Sequence, residues 1–138
     1  MMYDFLKNVP LFSELPEADL RQLCPAIVEV RLNAGEELFA EGTTGDRAYV
    51  IQHGQLEIIK NSNEGEVLLA VREPGEVIGE MSLLESTPRM ASVRARTDSL
   101  LIAITKEQLD ELLTTSPTAA NAMFRTVLSR WRSTEAML

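Results

Sequence analysis

Arg89, preceded by Pro88 and lying nine residues after Glu80, is where this sequence first points to chemistry. Its planar fork of donors suits a phosphate better than a lysine ammonium does. Upstream, Gly79 follows the apolar pair Val77-Ile78 and has no Cβ to obstruct a sharp turn or the close approach of another molecule. A short helix is expected over residues 80–86, with Leu83 and Leu84 directed inward, because Pro88 forces Thr87 out of the helical region and prevents continuation. The first N–H groups of that helix, around Met81, Ser82 and Leu83, would have no carbonyl partners, and such groups attract anions. A carboxylate such as Glu80 beside a bound phosphate would be repelled unless it accepted hydrogen bonds from the ligand, and sugar hydroxyls are suitable donors. The pattern asks for a sugar phosphate. The competing reading makes Glu80 and Arg89 a surface ion pair closing a loop. Four of the seven glycines, Gly35, Gly65, Gly75 and Gly79, are followed by glutamate, so the dipeptide alone means nothing. Only the last of these glutamates precedes a Pro-Arg pair at this spacing with two leucines between, which favours the binding site.

The segment from Gly79 to Ala95, GEMSLLESTPRMASVRA, closely resembles the phosphate-binding cassette of cyclic-nucleotide-binding domains. These occur in regulatory subunits of cyclic-AMP-dependent kinase, cyclic-nucleotide-gated channels and catabolite-activator-type regulators. Gly79, Glu80, Ser82 and Leu83 match the first half of the motif, and Pro88, Arg89, Ala91 and Ser92 the second. The resemblance implies that Glu80 accepts from the ribose 2′-hydroxyl, that Arg89 pairs with the cyclic phosphate, and that the Gly79, Glu80, Met81, Ser82 and Leu83 backbone completes the cradle. It places Met90, Ala91 and Ser92 in the same site. Directly after the arginine the family usually carries alanine, serine or threonine, and a hydroxyl there goes with cyclic GMP. Met90 lacks it, so the expected ligand is cyclic AMP, with cyclic GMP the alternative. No cofactor or metal is expected.

The elements needed to hold such a site can be read along the chain. Residues 1–26 are helical in character: Phe5, Leu6 and Val9 form one apolar face, and Leu20 and Leu23 another after the Pro16-Glu17 start. LKNVPLFSELPEADLRQL resembles the helical N-terminal cap of the same family. Over residues 27–105 the pattern changes to short alternating runs bounded by turn residues, the signature of an antiparallel sandwich or barrel. Strands are expected at Val28–Leu32, Glu37–Ala40, Ala48–His53, Gln55–Asn61, Glu66–Arg72, Val77–Ile78, Ala91–Thr97 and Ser99–Thr105. Eight strands suit a jelly-roll β-barrel, giving a mainly β fold with flanking helices. The turns around Gly35 and from Gly42 to Asp46 also resemble the family, so the likeness covers almost the whole chain.

Residues 106–138 should form C-terminal helices. A capping box at Thr105-Lys106-Glu107-Gln108 opens one with Leu109, Leu112 and Leu113 on its apolar face; Ser116 then caps a second, carrying Phe124, Leu128 and Trp131. By resemblance these helices move when ligand binds, with Leu83 relaying the movement. Trp131, the only tryptophan, is either a lid stacking on the purine or a packed aromatic; helical spacing favours packing. An amphipathic last helix also offers a homodimer contact.

Composition narrows the function further. With 138 residues, 45% hydrophobic and 25% charged, the chain is expected to be a single domain with a real core. A net charge of −8 argues against nucleic-acid binding, so a bound anion must be small and locally recognised. The apolar runs are too short to cross a bilayer and no signal peptide is visible, so a soluble cytoplasmic protein is expected. The single cysteine, Cys24, excludes an internal disulfide, and the single histidine, His53, argues against a metal-dependent jelly-roll enzyme. No nucleophile-base pair and no Walker-type loop are visible. Glu36, Glu37 and Glu41 read as solvated strand and turn positions. The expected function is a non-enzymatic cyclic-nucleotide sensor whose effector lies in a separate protein or outside these residues. The alternatives are an interaction module that keeps the fold without the ligand, or a regulatory piece of a larger enzyme, channel or transcription factor.

Overall fold

The computed structural model describes residues 2–9, 12–13, 15–79, 87–118, 120–121, 124–125 and 128–129. The chain divides into two compact units, residues 27–106 and residues 1–26 with 107–138.

Among the described residues the first unit has eight strands: β1 (Val28–Leu32), β2 (Glu37–Phe39), β3 (Arg47–His53), β4 (Leu56–Ser62), β5 (Gly65–Arg72), β6 (Val77–Ile78), β7 (Ser92–Ala95) and β8 (Ser99–Thr105). Every expected strand is present, and β1, β6 and β8 have the expected ends. β7 is shorter than expected because the chain leaves the ladder after Ala95, where Thr97 Oγ1 accepts from the Gln55 N–H at 3.0 Å. All pairings are antiparallel, giving one sheet in the order β1-β8-β3-β6 and another in the order β2-β7-β4-β5.

The closed barrel expected from eight strands is not formed. Among the described residues no ladder joins the two four-stranded sheets, and the fold is a β-sandwich. Ladder closure is unnecessary because side chains from both sheets meet in one cluster: Leu32, Ile51, Ile78 and Leu101 from one, Leu56, Val93 and Ala95 from the other. Each large aliphatic buried there contributes about 1.5–3 kcal/mol. Leu38, Phe39, Tyr49 and Ile58 pack against this cluster while staying partly exposed.

The two sheets differ on their other faces. In β8 the consecutive residues Leu101, Ile102, Ala103 and Ile104 are all buried, as are Ala48 and Val50 of β3, so these strands read as continuous apolar runs. The β2-β7-β4-β5 sheet has a polar face. There Arg94 of β7 donates to Glu57 of β4 and to Glu66 of β5, both at 3.0 Å. On β5 an extra residue, Leu69, interrupts the register with β4 between the Ile58↔Ala70 and Ile59↔Leu68 pairs.

The helical unit holds α1 (Met2–Lys7), α2 (Glu17–Leu23), a 3₁₀ turn (Cys24–Ala26) and most of α3 (Lys106–Thr115). Among the described residues, Leu6, Val9, Phe12, Leu15, Leu20, Leu109 and Leu112 are its buried apolar side chains. The expected start after Pro16 holds, and Arg21 of α2 stacks 4.2 Å above the Tyr3 ring while pairing with Glu17 at 2.8 Å. Ser116 interrupts the helix after Thr115, and the Ala120 N–H bonds to its carbonyl at 3.1 Å, so a helix restarts there as the Ser116-Pro117 signal predicts. Among the described residues no helix is long and apolar enough to cross a membrane.

Candidate functional site

Two of the connections that pass between the sheets touch at Arg89. One runs from β2 to β3 through Gly42 and Gly45; the other runs from β6, past Gly79, to β7. Their backbones exchange two hydrogen bonds: Arg89 N–H to the Thr43 carbonyl and Gly42 N–H to the Arg89 carbonyl, each 2.8 Å. Arg89 is therefore fixed in place before its side chain is considered.

That side chain turns inward and leaves the residue only 4% exposed. Its Nη1 donates to the Gly79 carbonyl at 3.0 Å and its Nη2 to the Arg47 carbonyl at 2.7 Å. The guanidinium carbon lies 4.1 Å from the centre of the Phe39 ring, which in turn leans on Tyr49 at 6.4 Å between centroids. A guanidinium is more weakly hydrated than an ammonium and stacks on aromatic faces, which makes arginine the cation best suited to this position.

Two glycines make the slot. A Cβ on Gly45 would overlap the Arg89 guanidinium, and one on Gly79 would come within 2.5 Å of Nη1. Gly79 also has φ +80°, a conformation that disfavours any side chain. Gly45 has no such backbone reason to be glycine; the arginine accounts for it.

Of the residues singled out in the sequence, the structure brings Gly79 and Arg89 into direct contact across ten positions. Met90 points outward, 64% exposed, and its carbonyl accepts from Lys60 Nζ at 2.8 Å. Ala91 and Ser92 are half-buried, and Ser92 Oγ accepts from the Glu41 N–H at 2.9 Å. Glu80, Met81, Ser82 and Leu83, the helix expected over 80–86, and Trp131 lie outside the described residues. His53 is exposed at the end of β3, and Cys24 is half-buried without a disulfide.

Sequence reasoning missed four contributors. Phe39 reads as an ordinary strand residue, Gly45 as a turn, Arg47 contributes only its carbonyl, and Thr43 only its backbone. The glycine beside Asp46 was the one readable signal. Glu41, read as a solvated turn carboxylate, is instead tied down: it accepts from the Asn61 N–H at 3.0 Å and pairs with Lys60 at 3.1 Å. These two donors, the Asn61 N–H first, hold its carboxyl below the ordinary glutamate range. No group of His, Cys, Asp and Glu able to hold a metal occurs among the described residues.

The chain is 34% identical to a cAMP-dependent protein kinase regulatory subunit from Aspergillus niger over 113 residues, 81% of this chain and 27% of that protein. The N-terminal domain of a transcriptional regulator from Streptomyces coelicolor A3(2) superimposes with a TM-score of 0.76 at 39% identity, covering 98% of this chain and 96% of that one. The regulatory domain of Toxoplasma gondii PKA, crystallised with cAMP, gives 0.74 at 29% identity over 80% of this chain and 42% of that one. The chain spans 27–33% of the length of the curated relatives it matches. The profile of the cyclic nucleotide-binding domain matches residues 29–116, from β1 to the end of α3, and with the slot around Arg89 inside that span the chain belongs to the cyclic nucleotide-binding domain family.

Proposed function

We propose that residues 1–138 act as one cytoplasmic sensor domain for cyclic AMP, without catalysis of its own. The observation that carries this reading is the buried Arg89 guanidinium, oriented by two carbonyls and an aromatic face beside Gly79, where the cassette begins. A cation fixed in a low-dielectric setting attracts a small anion strongly, and fixing it in advance removes the entropic cost of ordering it on binding. Arg89 pairs with the cyclic phosphate, the backbone from Gly79 to Leu83 completes the cradle, and Glu80 accepts from the ribose 2′-hydroxyl. The A. niger relative is a cAMP-dependent regulatory subunit and the T. gondii domain was crystallised with cAMP, which supports the choice of ligand. The absence of a hydroxyl at Met90 supports cyclic AMP over cyclic GMP. Ligand binding shifts the helices of residues 106–138, which pass the signal to an effector.

The test is Arg89→Ala under calorimetric titration with cyclic AMP. Losing the guanidinium costs on the order of 2–5 kcal/mol of binding, so no heat of binding is expected at micromolar ligand. A variant that binds as tightly as the parent would remove Arg89 from the site.

A further inference from the structure

We infer that Lys60 is a positioning residue for the phosphate site, acting through the Met90 carbonyl and held in turn by Glu41. The inference rests on the cyclic-nucleotide reading above and adds to it two residues outside the cassette.

Lys60 lies on β4, thirty positions from Met90 in sequence, and its ammonium donates to the Met90 carbonyl at 2.8 Å. That carbonyl is the first acceptor after the Arg89 residue itself. The same ammonium pairs with Glu41 at 3.1 Å, and the other oxygen of Glu41 accepts from the Asn61 N–H at 3.0 Å. Glu41 reaches the cassette a second time, since its own N–H donates to Ser92 Oγ at 2.9 Å. The segment leaving Arg89 is thus held at Met90 and at Ser92, while Arg89 itself is held by Gly42 and Thr43 on the neighbouring connection.

The arrangement matters because a long side chain magnifies backbone error. A small rotation at Met90 or Arg89 moves a guanidinium at the far end of its side chain by a much larger displacement, and misplacement at this scale is costly for an oriented contact. Lys60 is 47% exposed and meets Met90 at its carbonyl, so Lys60 itself need not touch the ligand. Lys60 works on the main chain next to Arg89, with a charge-assisted hydrogen bond stronger than a neutral one. With the ammonium removed, the Met90 carbonyl turns to water, and the segment loses its hold next to Arg89 while keeping those at Arg89 and Ser92, so part of its order must be recovered on binding.

The experiment compares the parent, Lys60→Met and Lys60→Arg, all freed of bound nucleotide, by calorimetry with cyclic AMP and with its two phosphorothioate diastereomers. Each diastereomer replaces a different exocyclic oxygen by sulfur, so their affinity ratio reports where the guanidinium sits. For Lys60→Met the expected result is affinity for cyclic AMP weakened roughly two- to fivefold, the scale of a partly exposed charge contact, together with a narrowed diastereomer ratio. Lys60→Arg, which keeps charge and donors, should recover both. Affinity unchanged in Lys60→Met would overturn the inference and leave the cyclic-nucleotide reading intact. An equal loss for both diastereomers, not recovered by Lys60→Arg, would also overturn it, since that is the mark of a general weakening of the fold. A parent that binds none of the three ligands would overturn the cyclic-nucleotide reading and this inference with it.

Discussion

Replacing Gly45 by alanine isolates the slot around Arg89 from every other feature of the site. Gly45 does not have the positive φ found at all six other glycines, so alanine brings no backbone strain there. What it brings is a methyl group overlapping the Arg89 guanidinium. Either the arginine leaves, giving up its bonds to the Gly79 and Arg47 carbonyls and its contact with Phe39, or the connection between β2 and β3 is pushed away. Overpacking of this kind costs about 1–3 kcal/mol of stability. In the Arg89→Ala background the three atoms nearest that methyl are gone, and a glycine-to-alanine change at an ordinary φ is then expected to stabilise by about 0.4–1 kcal/mol through the unfolded chain. The substitution should therefore change sign between the two backgrounds, a coupling readable by urea denaturation followed by circular dichroism. In the Arg89 background, Gly45→Ala should also weaken cyclic AMP by at least about tenfold, because a displaced guanidinium no longer meets the phosphate. Equal destabilisation in both backgrounds would refute the reasoning, since the methyl would then be clashing with something other than the arginine.

Three further outcomes are expected. Glu80→Gln should weaken cyclic AMP far more than its 2′-deoxy analogue; equal losses in calorimetry would contradict a ribose contact. Because Glu41 has a lowered pKa in the folded state, its contribution to stability is complete above the ordinary glutamate value and is lost as pH falls through the lowered one. The difference in Tm between parent and Glu41→Gln should therefore be constant near neutrality and shrink toward zero below about pH 4, and a difference independent of pH would contradict the assignment. Hydrogen exchange across residues 106–138 should change on saturation with cyclic AMP; identical exchange would remove the helical relay.

The sandwich was largely legible because period-two alternation and turn residues are local signals. Val28–Leu32, Val77–Ile78 and Ser99–Thr105 could be bounded from them alone. Barrel closure was not legible, since whether the outer strands of two sheets pair depends on how the sheets pack, which no short window records. In the site, Gly79 and Arg89 stood out by residue type and spacing. Phe39, Gly45 and the Arg47 carbonyl did not, because the contacts that matter join two connections far apart in sequence, and a carbonyl is the same whatever side chain it belongs to. Glu41 and Lys60 failed for a related reason: charged residues on a strand and in a turn look solvated until the chain brings them together.

The most direct measurement is a calorimetric titration of the nucleotide-free protein with cyclic AMP and cyclic GMP, with AMP as the control. The slot around Arg89 and the missing hydroxyl at Met90 predict tighter binding of cyclic AMP than of cyclic GMP and little response to AMP. Silence with all three ligands, from protein shown to be folded, would contradict a cyclic-nucleotide sensor and leave an interaction module built on the same fold.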